Sequence, residues 1–161
     1  MVIVYGSAAA TARAVSAVRP PVLLRFLIAI GAGNLAWEFA HMPLYTIWQT
    51  ASGGRIAYAA VHCWLGDLLI AVACLGVAVL TTGRSWPIGR YWTTAIIATA
   101  LGVASTIVLE WVNVDILGNW AYAPSMPTLP ILGTGLSPLL QWFVLPPLAF
   151  VLARPHGLEN A

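Results

Sequence analysis

Hydrophobic residues in this chain fall into four long blocks separated by short polar punctuation. The blocks run over about residues 21–42, 56–80, 91–112 and 136–153. About 20 apolar residues in helical form cross the roughly 30 Å of bilayer hydrocarbon, so each block is long enough, or nearly so, for one crossing. The punctuation has the chemistry of helix ends. Pro43 disturbs the end of the first block, because its ring clashes with the carbonyl four residues back. Ser52-Gly53-Gly54 makes a turn, and Gly83, Arg84 and Pro87 mark the second connection. Ser137 and Pro138 suit the cap and first turn of the fourth helix, which Pro146 and Pro147 are expected to kink. Tyr45 and Trp48 fit an interfacial aromatic belt.

The pattern therefore predicts an all-α integral membrane bundle of four transmembrane helices. A segment 1–20, read as a tail or interfacial stretch, precedes the domain 21–153, and a second tail, 154–161, follows it. The connection 113–135 reads NVDILGNWAYAPSMPTLPILGTG, with two aromatics, three prolines and one charge. A disordered loop carries more polar and fewer aromatic residues, so this one is expected to fold over the bundle mouth as an ordered lid.

Composition excludes the soluble alternative. The chain is 60% hydrophobic and only 7% charged, with a mean hydropathy of +0.87; a soluble domain needs about 25% charged residues to solvate its surface. A formal charge of +2, scattered along the chain, is too small for a nucleic-acid surface. Cys63 and Cys74 are separated by about 16 Å along one helix and cannot bridge each other. The first twenty residues do not read as a cleavable signal, since Arg13 and Arg19 follow the apolar stretch instead of preceding it.

Charge orients the bundle. Arg13, Arg19, Arg25, Arg84, Arg90 and Arg154 fall on one side, and Arg55 alone on the other. The positive-inside rule then places both termini in the cytoplasm and the loops after the first and third helices outside a plasma (inner) membrane. The bilayer is the expected partner, with a homo-oligomer or larger membrane complex compatible with the same surface.

Three of the acidic residues, Glu38, Asp67 and Glu110, lie inside membrane helices, where each charge costs about 2.5–3.5 kcal/mol. Residues that costly face the bundle interior. Topology brings them to one depth, in the outer half, with His41, His62, Asn113 and Gln141, while Asp115, Trp120 and Tyr122 hang above. Asn34, Glu38, His41 and Tyr45 form one helical stripe, and Thr106, Glu110 and Asn113 a second. His62 and Asp67 stand about 140° apart around their helix, so Glu38, His41 and Glu110 are the expected core and His62 and Asp67 are secondary.

Several chemistries fit these residues. Glu38-x-x-His41 matches the Glu-x-x-His element of carboxylate-bridged metal bundles. With His62 and Glu110, and less directly Asp67, it would make a site for zinc, iron or manganese. His41 and His62 could instead be axial ligands of a b-type haem, with Arg55 at a propionate. Without metal, a buried carboxyl beside a histidine moves protons. Trp37, Trp64, Trp111, Trp120 and Trp142 would then flank a neutral, apolar or isoprenoid substrate, aromatic faces being able to stabilise a carbocation. Arg55 is the only cation near, which disfavours phosphate substrates. The reading adopted is a membrane enzyme performing acid/base or metal-assisted chemistry on a neutral lipophilic molecule. Glu38, His41 and Glu110 act, and Asn113, Trp120, Tyr122, Gln141 and Trp142 hold the substrate. The alternative is a non-catalytic subunit or assembly factor in which polar residues glue helices together. Gly31, Gly33, Gly66, Gly76 and Gly102 are expected at close helix contacts.

The segment Gly118-Asn119-Trp120-Ala121-Tyr122, with the glycine-containing stretch after it and Pro138 opening a helix, is similar to a stretch in the helical lycopene-cyclase and carotenoid-hydratase type of membrane protein. The likeness covers about 25 residues. That group carries an acidic pair just after the proline, where this chain has Leu140 and Gln141.

Overall fold

The computed structural model describes residues 4–155, with side chains from residue 10 onward; most of the tail 154–161 lies outside the described residues. Five α-helices follow one another: α1 (Val4–His41), the short α2 (Ile47–Thr50), α3 (Gly53–Thr82), α4 (Tyr91–Trp111) and α5 (Leu136–Ala153). A 3-10 turn, Met42–Leu44, follows α1, and a π turn, Val112–Ile116, follows α4. No strand occurs among the described residues, and four helices are long and apolar enough to cross a membrane. The chain is a multi-pass membrane protein with the all-α architecture that its hydrophobic pattern predicts.

α1, described from Val4, takes in most of the stretch read from sequence as a tail or an interfacial segment. Pro20 and Pro21 lie inside it; having no N–H, they leave the carbonyls of Ser16 and Ala17 without their intrahelical bonds. The helix persists because alanine-rich sequence favours it and because Arg19 ties it down, donating to the backbone carbonyls of Arg84 and Trp86 in the α3–α4 turn. α5 likewise runs through Pro146 and Pro147 to Ala153. Ser137 does not cap α5: the N-cap position is Gly135, and the Ser137 hydroxyl is used elsewhere. α3 ends at Gly83, whose φ of +100° only glycine adopts without strain.

The helices form a ring in the order α1, α3, α4, α5, each packed on its two neighbours. Val22, Phe26, Ile30, Asn34, Glu38 and His41 are the buried stripe of α1. Its members recur every three or four residues, so they lie one above another. The stripe is apolar up to Ile30 and polar from Asn34. The apolar half meets Leu75, Ala98, Trp142 and Phe150 in one continuous core. Tyr91 closes its far end by donating to the Phe150 carbonyl at 2.6 Å. The bundle thus has a sealed arginine end, at the α3–α4 turn, and a polar loop end beneath 113–135. Around it the helices present side chains such as Leu69 and Leu80, more than 70% exposed, which a bilayer solvates and water does not.

Small residues set the helix spacing. Gly33 and Gly31 lie under Leu145 and Leu68, and Gly102 lies directly under the Trp142 ring, as expected of close-contact glycines. Gly66 and Gly76 have open space above them instead. Gly66 faces the cavity described next.

Candidate functional site

The 113–135 connection is ordered by pairing with the chain that leaves α1. Thr46 N–H donates to the Ala121 carbonyl, Ala123 N–H to the Leu44 carbonyl, and Tyr45 and Tyr122 form an antiparallel bridge. A second bridge, Thr128 to Gly135, closes the distal turn. Asn119 donates to the Asn113 side chain, and Asn113 to the Leu109 carbonyl, so the π turn is stitched to the end of α4. Tyr45 is consequently no belt residue. It is buried, edge-on to the His41 ring and tilted against Tyr122, whereas Trp48 is half exposed.

Beneath this lid lies a cavity of about 560 Å³. Glu38, His41, Asp67, Glu110, Gln141 and Trp142 line its inner part, with Asn113, Trp120 and His62 also on its wall. Tyr122 stands behind Glu110. The acidic, histidine and amide residues expected at a site line this cavity, Asp67 and His62 included, with Trp120 and Trp142. Trp37, Trp64 and Trp111, expected to flank a substrate, are not in its lining: Trp37 donates to Ser137, Trp64 to the Gly31 carbonyl, and Trp111 is half exposed. The arrangement within the cavity differs from the expected core in one respect. Asp67 joins Glu38 directly, and Glu110 is held by the lid.

Donor and acceptor roles in the first group are those that hold with His41 protonated on Nε2 alone. The Trp37 indole N–H can only donate, and it reaches the Ser137 hydroxyl at 3.2 Å. The Ser137 proton is then free to point at His41 Nδ1, 3.3 Å away. His41 Nε2 in turn donates to Glu38 Oε2 at 3.2 Å. Glu38 Oε1 accepts from Gln141 Nε2 at 3.2 Å; the same amide reaches Asp67 Oδ2 at 2.8 Å and Asn34 Oδ1 at 3.1 Å. Two N–H bonds serve three acceptors, so Asp67 holds one and the other is shared. The Glu38 and Asp67 carboxyls also meet each other, a contact that is a hydrogen bond when one of them carries a proton. The result is a chain of exchangeable groups, Ser137–His41–Glu38–Asp67, whose orientation is fixed by Trp37 and Gln141. The Asn34 amide N–H₂ is buried with no partner among the described residues.

The second group is Glu110 and Tyr122. The Tyr122 phenol donates to Glu110 and accepts from the Gly135 N–H at 2.9 Å. Burial, and then Glu110, push the phenol above the ordinary tyrosine range, so it keeps its proton and stays a donor at neutral pH. Burial raises the Tyr45 phenol in the same way. Tyr122→Phe deletes both hydrogen bonds while leaving the ring. Amide exchange in 113–135 is expected to accelerate about tenfold, the equivalent of one net hydrogen bond; hydrogen–deuterium exchange in detergent measures it.

Compared with known proteins, the chain matches no family model, no curated protein and no solved structure. The geometry alone therefore bears on function. Among the described residues no group of three or more His, Cys, Asp or Glu side chains is placed to hold a metal ion. His41 is committed at both nitrogens, Glu110 to Tyr122, and His62 stacks on Tyr58 at 5.9 Å near the exposed cavity mouth. His41, His62, Glu38 and Glu110 all line the cavity without closing into a ligand cage, and Asp67 is drawn towards Glu38 instead. Arg55 is the single cation of the lining.

Sequence reasoning left Ser137 and Asn34 out of the site. Asn34 is on the Glu38 stripe, which was the available signal; Ser137 gave none, because a serine beside Pro138 has the look of a cap.

Proposed function

We propose that this membrane protein binds a neutral lipophilic molecule in the loop-end cavity and acts on it by proton transfer. The observation that carries this reading is the convergence of Glu38, Asp67 and Glu110, with His41, on one cavity that also has tryptophan and aliphatic walls. An anionic or phosphorylated substrate would meet carboxyls with one arginine to balance them; an uncharged one meets apolar surface and a fixed acid/base set. In this reading Glu38, paired with Asp67 and oriented by His41, gives or takes the proton on one wall, and Glu110 with Tyr122 does so on another. Gln141, Asn113, Trp120 and Trp142 position the substrate. The arginine distribution supports a plasma (inner) membrane location with both termini cytoplasmic and the cavity opening outward.

Lipid extracts of membranes from cells making the wild-type chain, Glu38→Gln or Glu110→Gln test the proposal. Both glutamines keep the shape and an acceptor oxygen. The wild type is expected to change the amount of at least one neutral lipid relative to a vector control, and either variant, present at equal level, to abolish the change. Extracts that match the control for the wild type, or match the wild type for both variants, would overturn it.

One observation favours a second reading. The Trp37–Ser137–His41–Glu38–Gln141–Asp67 network ties α1, α3 and α5 together, as a non-catalytic subunit would need for packing. That reading predicts unaltered lipid extracts and a lower unfolding midpoint for Glu38→Gln.

A further inference from the structure

A second concavity, of about 430 Å³, follows the lipid-facing seam between α4 and α5. Ala95, Thr99 and Ala100 keep its floor low between the larger Trp92 at one end and Phe143 at the other. From Trp92 to Val103 it spans eleven residues of α4, about 16 Å. Half of the roughly 30 Å hydrocarbon layer is about 15 Å, so the groove has the length of one leaflet and starts at the arginine end.

At that end the Arg154 guanidinium lies over the Trp92 ring, 5.6 Å from its centroid. Among the described residues no carboxylate pairs with Arg154 or with any other arginine. The described acidic residues stand at the other end or in mid-bundle. A fork of N–H donors, held on an aromatic face and lacking an anion, therefore caps a one-leaflet apolar groove.

The geometry points to a binding site for an anionic phospholipid, its phosphate on Arg154 and one acyl chain along the α4–α5 groove. A planar guanidinium suits the bidentate geometry of phosphate. A second copy of this chain fits less well. Copies inserted in one orientation and related by a twofold axis through this seam would set Arg154 against Arg154, with no acid among the described residues to separate them. The inference is independent of the loop-end cavity and of any reaction there.

Native mass spectrometry of the delipidated full-length protein in neutral detergent, titrated with dioleoylphosphatidylglycerol or dioleoylphosphatidylcholine, tests it. Phosphatidylglycerol is expected to bind more tightly than phosphatidylcholine. Arg154→Gln should weaken that binding about fivefold, the worth of one basic side chain at an anionic surface. Ala100→Phe, at an exposed position that fills the groove without entering the core, should weaken both lipids. Arg84→Gln, an exposed charge at the same end, should change neither. Equal affinity for the two lipids, or equal losses in Arg84→Gln and Arg154→Gln, would reduce the effect to diffuse charge and overturn the site. A dimer of the wild type that Ala100→Phe dissolves would assign the groove to a second copy.

Discussion

Gln141→Leu should lower the stability of the bundle by about 2–4 kcal/mol, the largest loss expected from one substitution in the polar half. Leucine nearly matches glutamine in size, so packing changes little. What disappears is the amide that reaches Asp67, Asn34 and Glu38 at 2.8, 3.1 and 3.2 Å. A single interhelical hydrogen bond in a membrane averages only about 0.6 kcal/mol, since the unfolded chain finds other partners. Here the cost is higher because several acceptors on two helices lose one donor together. Asn34 is only 1% exposed and does not reach the cavity, so water cannot replace the amide there. Glu38 and Asp67 line the cavity and recover part of their solvation, which sets the upper bound. Thermal unfolding in detergent, followed by tryptophan fluorescence, measures the loss; an unfolding midpoint equal to that of the wild type would mean the amide is not the hub.

Gly102→Ala should cost about 3 kcal/mol, at the upper end of overpacking losses. A Cβ on Gly102 would lie 2.2 Å from Cε3 and 2.4 Å from Cζ3 of Trp142. Neither partner yields easily. Gly102 is in the middle of α4, and Trp142 is a rigid ring only 3% exposed, with core on one side and the cavity on the other. Moving the ring into the cavity would relieve the clash but shrink the space that a bound molecule needs. A double-mutant cycle isolates the contact: in a Trp142→Leu background Gly102→Ala should become nearly neutral. Strictly additive losses would show that the steric conflict is absent.

The membrane bundle was legible because four apolar blocks leave no soluble alternative, and the lid because aromatic and proline residues replace polar ones in 113–135. The first half of α1 was legible only as a tail or a separate interfacial segment, and its continuity with the first crossing was not. Pro20-Pro21 beside Arg19 has the local chemistry of a helix end, and the bonds from Arg19 to the carbonyls of Arg84 and Trp86 are tertiary. Asp67 was underrated for a geometric reason. Angular separation around α3 matters if ligands must point at one axis, but the cavity has width, and the long Gln141 side chain spans it to join Asp67 with Glu38. Tyr45 looked interfacial because its burial depends on pairing with Tyr122, 77 positions later, and periodicity carries no information at that range.

The division of the α1 stripe at Ile30 also fixes which water the acidic residues can exchange with. Phe26, Ile30, Leu75 and Phe150 close the arginine half, so the cavity that holds Glu38, Asp67 and Glu110 is reached from the lid end. Among the described residues the cavity is a well closed by that core. On the proposed function, a proton or solute taken up there leaves by the lid or passes sideways into lipid. On that reading the site answers to the pH on the lid side alone.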